Sequence, residues 1–428
     1  MTIAAHKTAL VGVALTMALP LAACGRGSDT STGGGGGGSG SAAQVKTDVG
    51  VDATTITLGE LTDASGQFAA FSKPIVIGNQ MYYENVNKAG GICGRQVKLI
   101  VKDHGYDVNK AVPLYAEIKD QILALQHVVG SPMNTKLLPN YAADTMTTFP
   151  VSWASSLLKN PYIVMVGPTY DVEMLNGIDW LVKNKGLKAG DTVGHIYQEG
   201  EYGQNGYAGS QYAASKLGFN LIPVLIKPTD TDLTTQVSDL LSKGAKAILL
   251  TSGPKQTGSV VSVLAAKGAQ DVTVVSNNPG YTTSLVENNA PTAAAMVKYF
   301  PLVASAAPYT DSSDAVTKVR QQYEAEYPSG IKAFSLNFGY GQAELMGEAL
   351  KRACASGDLT RAGLHTAIQS IKQFDTGGLV STLDYSTPGA IPSRETYIAG
   401  ASTSDAGGLK TEQKLFVSDL AKGYTPAT

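Results

Sequence analysis

Cysteine, charge and long apolar runs are all scarce in this chain, and each scarcity excludes something. Its 428 residues include three cysteines, 16% charged residues and a formal net charge of −2. No cluster of Lys and Arg follows a phosphate track, which argues against a nucleic-acid partner. No window beyond the N-terminus holds 18 uninterrupted apolar residues, so no membrane-spanning helix is expected. Five histidines occur, one at the N-terminus; His104, His127, His195 and His365 lack metal-ligand spacing. There is no Gly-Lys-Ser/Thr loop for nucleotide phosphates and no Gly-x-Ser-x-Gly elbow. Gly339-Tyr340-Gly341 lacks the third glycine of a dinucleotide loop. Asp230 and Asp232 read as acceptors before a helix rather than as a catalytic pair. With no nucleophile–base pair, the chain reads as a binding protein, not an enzyme, with no cofactor and no metal.

What is present begins at the N-terminus. Lys7 precedes an apolar stretch over 8–20, and Leu21-Ala22-Ala23-Cys24 closes it. That is a secretory signal over 1–23, and its end resembles a bacterial lipobox. The resemblance implies that Cys24 becomes the first mature residue and carries lipid on its sulfur. The alternative is an ordinary signal peptide with Cys24 there by coincidence. Residues 24–52 include six consecutive glycines, Gly33 to Gly38, and almost nothing apolar. Such a segment reads as a flexible tether, reaching about 25–30 Å as a Gly/Ser coil. The expected location is the extracytoplasmic face of the cell membrane, anchored by lipid.

If Cys24 is acylated, two cysteines remain in an oxidising compartment. The arithmetic favours a Cys93–Cys354 disulfide; two independent buried thiols are the alternative.

Beyond the tether, β-rich runs alternate with amphipathic stretches. Strands are expected over 55–61, 97–101, 127–130, 149–153 and 162–166. Helices are expected over 75–88, 109–125 and 135–145, the first ended by Gly90-Gly91. A break at Gly167-Pro168 restarts the rhythm. Helices then fall over 172–185, 204–217, 233–243 and 256–267, with strands over 192–197, 221–226, 247–251 and 272–275. Three helices follow Phe300-Pro301, over 314–327, 334–355 and 360–371, and β-rich segments over 379–383 and 395–399. Alternation at this spacing predicts an α/β fold with parallel sheets in two similar lobes. The ends of the strands would face a shared cleft.

Several stretches carry a family resemblance. Asn87-Lys88-Ala89-Gly90-Gly91-Ile92-Cys93-Gly94-Arg95, Glu201-Tyr202-Gly203-Gln204-Asn205-Gly206 and Thr229-Asp230-Thr231-Asp232-Leu233 occur in this order. In them the chain resembles the extracytoplasmic solute-binding proteins of ABC importers, of the branched-chain amino acid (Leu/Ile/Val-binding) type. The resemblance implies a type I periplasmic-binding fold: two Rossmann-like lobes joined by a three-strand hinge. It divides the chain into a first lobe (53–167 and 301–374) and a second lobe (168–300), with 375–428 completing the second lobe and hinge. It places Cys354 beside the first helix, near Cys93. It also implies a ligand site of Ser65, Phe68, Met133, Asn134, Thr135, Ser152, Trp153, Ala154 and Ser155, faced by Tyr202, Ser252, Gly253 and Asn278. The implied partners are a small solute and ABC permease subunits, with the protein a monomer. The implied function is capture of a small polar or amphipathic solute for import, with ligand sensing through a membrane partner as the other reading.

One departure bears on the ligand. Amino-acid binders of this type often carry an acid after the strand corresponding to 272–275. Here the loop is Ser276-Asn277-Asn278-Pro279-Gly280-Tyr281. An unpaired buried ammonium is costly, so an amide, a neutral polar molecule, an organic acid or an aromatic compound suits the loop better than an α-amino acid.

Overall fold

A computed structural model describes residues 45–287 and 289–426. The signal segment, Cys24 and most of the Gly/Ser stretch lie outside the described residues. The fold begins earlier than the sequence suggests. β1 (Lys46–Thr47) pairs in parallel with a late segment, Asp358 and Leu359. Val45 and Val51 pack on the core, so the fold takes in residues 45–52, which the sequence assigned to the tether.

The first sheet follows. β2 (Thr55–Thr62), α1 (Ala69–Lys88), β3 (Gln96–Asp103), α2 (Val108–Ile118), β4 (Ala124–Val129), α3 (Ser131–Ala143) and β5 (Thr148–Val151) alternate. Their strands lie in the order β3-β2-β4-β5, all parallel. The expected helix over 109–125 stops at Ile118 because β4 is buried along its whole length and paired on both sides. A central strand of a parallel sheet is a continuous apolar run, which periodicity alone cannot tell from a buried helix. The strand expected over 162–166 reduces to one bridge, Ile163 to Thr148. A short 3-10 helix, Ser155–Lys159, comes before it.

The second sheet is larger. α4 (Tyr170–Lys185), β6 (Thr192–Gln198), α5 (Glu201–Leu217), β7 (Asn220–Ile226), α6 (Thr234–Ser242), β8 (Ala245–Thr251), α7 (Pro254–Lys267), β9 (Thr273–Asn277), α8 (Ala293–Tyr299) and β10 (Pro301–Ala304) build it. The chain continues through α9 (Asp314–Glu326), α10 (Phe334–Ala355), β11 (Asp358–Leu359), α11 (Arg361–Gln369), β12 (Thr396–Ala401), β13 (Leu409–Phe416) and α12 (Asp419–Lys422). The order is β13-β12-β10-β9-β8-β6-β7. β12 is antiparallel to both its neighbours, and the other pairs are parallel. The sequence missed α8, β10 and β13. Pro301–Ala304, at the start of the segment assigned to the first lobe, is instead a strand of this sheet. Residues 379–383 form only single bridges, at Val380 and Leu383. The acids before α6 act as acceptors: Asp232 takes the backbone N–H of Thr234 at 3.0 Å, and Asp230 that of Lys227 at 2.9 Å.

After β10 the chain returns to the first sheet. α10 crosses α1 at a point where only glycine fits. A β-carbon on Gly339 would lie 2.2 Å from the Ile75 carbonyl, and one on Gly78 2.5 Å from that of Leu336. This crossing carries the end of α10 to the turn after α1. There Cys93 and Cys354 are disulfide-bonded, with α-carbons 6.0 Å apart and a sequence separation of 261. The three passages between the halves are tied to one another. Ala307 donates its N–H to Leu379 at 3.0 Å, and the Tyr385 hydroxyl donates to the Met165 carbonyl at 2.6 Å. Among the described residues no helix is long and apolar enough to cross a membrane.

Candidate functional site

The carboxyl ends of the parallel strands in the two halves meet around a cavity of about 20 Å³, room for about one water. Its wall is aromatic: Phe68 and Phe71 at the start of α1, Tyr106 after β3, Trp153 after β5, Tyr170 at the start of α4 and Tyr202 on α5. Val129, Gly130, Ser131, Val151 and Pro279 complete it. The rings support one another in tilted and edge-on pairs. Phe68 and Tyr106 are 4.8 Å apart, Trp153 and Tyr170 5.8 Å, and Tyr170 and Tyr202 4.6 Å. Such pairs add to the burial of the rings. Trp153 is fixed further by its Nε1, which donates to the Val166 carbonyl at 2.7 Å.

The turn after β4 shows how local sequence builds this wall. Gly130 has φ of 97°, and a β-carbon there would lie 2.2 Å from Met133 Cε and 2.7 Å from the Tyr106 ring. Glycine lets Tyr106 lie over the turn. α3 starts at once with Ser131, four residues earlier than periodicity suggests. Ser131 lines the cavity, and its hydroxyl shares a 2.7 Å hydrogen bond with that of Ser152. The N-terminal end of α3 adds a partial positive charge.

The expected site residues separate into two groups. Phe68, Trp153 and Tyr202 line the cavity. Gly253 stands close by: a β-carbon there would lie 3.9 Å from the Phe68 ring, so the two halves nearly touch at this point. The others do not line it. Ser65 is exposed beside Asp103 and Gly105. Met133 and Ala154 are buried core. Asn134 spends its amide on the Val128 and Gly130 carbonyls, both at 2.9 Å. The Thr135 hydroxyl is buried without a partner. Ser152 sits behind Ser131, and Ser155 bonds to Asn205 across the halves. The Ser252 carbonyl accepts from the Tyr202 hydroxyl at 3.1 Å, and the Asn277 side chain accepts from it at 2.8 Å. Asn278 donates to Glu173 at 2.7 Å and to Ser305 at 2.6 Å, and accepts the Ser305 N–H.

Sequence reasoning missed Phe71, Tyr106, Ser131, Tyr170 and Pro279 as wall residues. Tyr106 and Ser131 follow strand ends directly, a signal that was available. Tyr170 follows the Gly167-Pro168 break. Among the described residues no carboxylate lines the cavity. Glu173 lies one shell back, fully buried, and desolvation holds its carboxyl well above the usual range. Burial also raises the Tyr202 hydroxyl well above its usual value. No Asp, Glu, Lys or Arg side chain lines the cavity among the described residues. His195, between Thr251 and Ser210 at 2.8 Å each, is a core histidine pushed down to about 3 by burial.

This arrangement can enclose a solute between two halves. Residues 55–407 match the family described as periplasmic binding protein. A fatty acid ABC transporter substrate-binding protein from Thermomonospora curvata is 38% identical, with a TM-score of 0.85 and coverage of 89% of this chain and 97% of that one. A branched chain amino acid ABC transporter structure from Thermus thermophilus with bound valine is 16% identical and shares the fold, at a TM-score of 0.75 over 86% of this chain and 98% of that one. The Leu/Ile/Val-binding protein homolog 3 of Brucella melitensis biotype 1 is 23% identical over 366 residues, 79% of this chain and 89% of that protein. The chain belongs to the periplasmic binding protein family, with the type I fold of ABC transporter substrate-binding proteins.

Proposed function

We propose that this protein captures a monocarboxylate with an apolar body, of the fatty-acid class, and hands it to an ABC permease in the membrane. The observation that carries this reading is the cavity wall, with six aromatic side chains and no lining carboxylate among the described residues. An α-amino acid would bury its ammonium there without a partner, at a cost of several kcal/mol. A carboxylate finds the Ser131 hydroxyl and the N-terminal end of α3, and an alkyl chain finds the rings. The Thermomonospora relative, named for fatty acid, agrees with this class. The cavity is too small for such a solute as it stands, so the halves must separate to admit it and close behind it. The same proposal includes export, lipid anchoring through Cys24, and two lobes that move as bodies about the three tied passages.

Thermal unfolding with decanoate, leucine and valine tests the ligand class. A solute that binds the folded state raises its melting temperature. Decanoate is expected to raise it and the amino acids to leave it unchanged; the reverse pattern overturns the class. Tyr202→Ala is expected to weaken decanoate binding by about 1–3 kcal/mol, the range for losing a buried aromatic anchor.

A further inference from the structure

Asn205, on the first turns of α5, joins both halves through a single side chain. Its Nδ2 donates to Ser155 Oγ at 2.6 Å and to Asp171 Oδ2 at 2.9 Å. Its Oδ1 accepts the backbone N–H of Ser155 at 3.3 Å and that of Asp171 at 3.4 Å. These four partners occupy both ends of the amide.

The partners belong to different bodies. Ser155 opens the 3-10 helix after β5, which is held to the first half by buried Leu157 and by Asn160, whose Nδ2 donates to the Leu138 carbonyl at 2.9 Å. Asp171 lies on the first turn of α4, against which α5 packs so closely that a β-carbon on Gly209 would lie 2.3 Å from the Asp171 carbonyl oxygen. Asn205 therefore moves with α4 and the second half. Asp171 is anchored there independently, by the Val172 N–H at 2.8 Å and the Tyr424 hydroxyl at 3.1 Å. Opening the cavity must break the two bonds to Ser155 and can leave the two to Asp171 intact.

We infer that Asn205 is a positioning residue for capture: a latch that closes on Ser155 when the halves meet and sets how long a solute is retained, without touching it. The inference rests on the reading that the halves close around the solute. The Asn205 amide is not on the cavity wall, so its effect runs through the closed population. Loss of bonds made only in that state lowers the population and with it the apparent affinity.

The test uses Asn205→Ala, Ser155→Ala and the double variant, each in the full chain. The first readout needs no ligand. Hydrogen–deuterium exchange over residues 152–160 is expected to rise in each single variant while β2 and β4 stay protected. The double variant is expected to match Asn205→Ala, because that variant already lacks the single bond that Ser155→Ala removes, Nδ2 to Ser155 Oγ. The second readout is decanoate binding by stopped flow, where each single variant is expected to raise the dissociation rate about tenfold, with a much smaller change in association. Unchanged exchange in Asn205→Ala overturns the latch, as do effects that simply add in the double variant. Ser155→Ala leaves Asp171 fully bonded, so it carries the test if Asn205→Ala folds poorly. If decanoate fails to bind the parent protein, the ligand class is refuted, and the exchange readout still judges the latch.

Discussion

Removing the Cys93–Cys354 bond is expected to cost more stability than any single contact in the first half. The bond closes a loop of 261 residues. The chain-entropy relation gives about 5–6 kcal/mol at 25 °C for a loop of that length, as an upper value. Little of this is expected to come from native contacts. α1 and α10 already meet through Gly78 and Gly339, so their packing does not need the bond to bring the two cysteines together. The penalty therefore falls on the unfolded chain, which becomes free to expand. Urea unfolding of Cys93→Ala/Cys354→Ala is the assay. The midpoint is expected to fall and the slope to rise, because a chain without the cross-link exposes more surface when it unfolds. Thiol titration of the unfolded, unreduced protein should find neither Cys93 nor Cys354 free. A stability loss below about 1 kcal/mol, or an unchanged slope, refutes the argument that the bond acts through the unfolded state.

Two further outcomes follow from buried side chains. Trp153 lines the cavity, whereas Trp180 packs in a separate cluster of the second half under Lys185; Trp153→Phe should therefore abolish most of a ligand-induced emission change and Trp180→Phe should not, and the opposite result places the site elsewhere. Glu60, fully buried with one oxygen accepting from Asn79, has its carboxyl pushed up from 4.5 to about 8 by desolvation. Its folded state holds the proton more tightly, so its contribution is complete below pH of about 4.5 and is lost as pH rises toward about 8. The stability of Glu60→Gln minus that of the parent should therefore rise across this window, a comparison in which the opposing titrations of His127 and His195 cancel; a flat difference assigns the proton elsewhere.

Most of the framework was legible because periodicity and punctuation agree along the chain. Gly90-Gly91 ends α1 where expected, with the Gly91 N–H donating to the Val86 carbonyl at 2.9 Å. Strands β6 to β9 and β12 fell within a few residues of their places. The errors cluster where local pattern is uninformative. β4 is a fully buried run that fits helix or strand equally well. β10 has four residues, too few for a period, and exists because β9 and β12 flank it. The bridges at Val380 and Ile163 are tertiary contacts with no sequence period of their own.

The site was legible as a set of strand ends but not as a chemistry, and the reason is competition for hydrogen bonds. The resemblance put polar side chains at the turns, and the turns are where expected. Yet the backbone there has groups of its own to satisfy. Asn134 is consumed by the carbonyls of the β4 turn, and Asn278 by Glu173 and Ser305. Ser152 is turned to Ser131, and Ser155 to Asn205. A polar residue committed to its own turn is poorly available to a solute, since taking it away leaves a buried group unpaired at a cost of about 1–3 kcal/mol. What remains facing the cavity is the aromatic set, whose polar tips at Trp153 and Tyr202 are spent on Val166, Ser252 and Asn277 and whose ring surfaces stay available. Selectivity then depends on what the rings and one serine accept and on what the missing lining acid refuses. If the proposed ligand class is right, a solute with a carboxylate and an apolar body is expected to bind, and a zwitterion to be rejected by its ammonium.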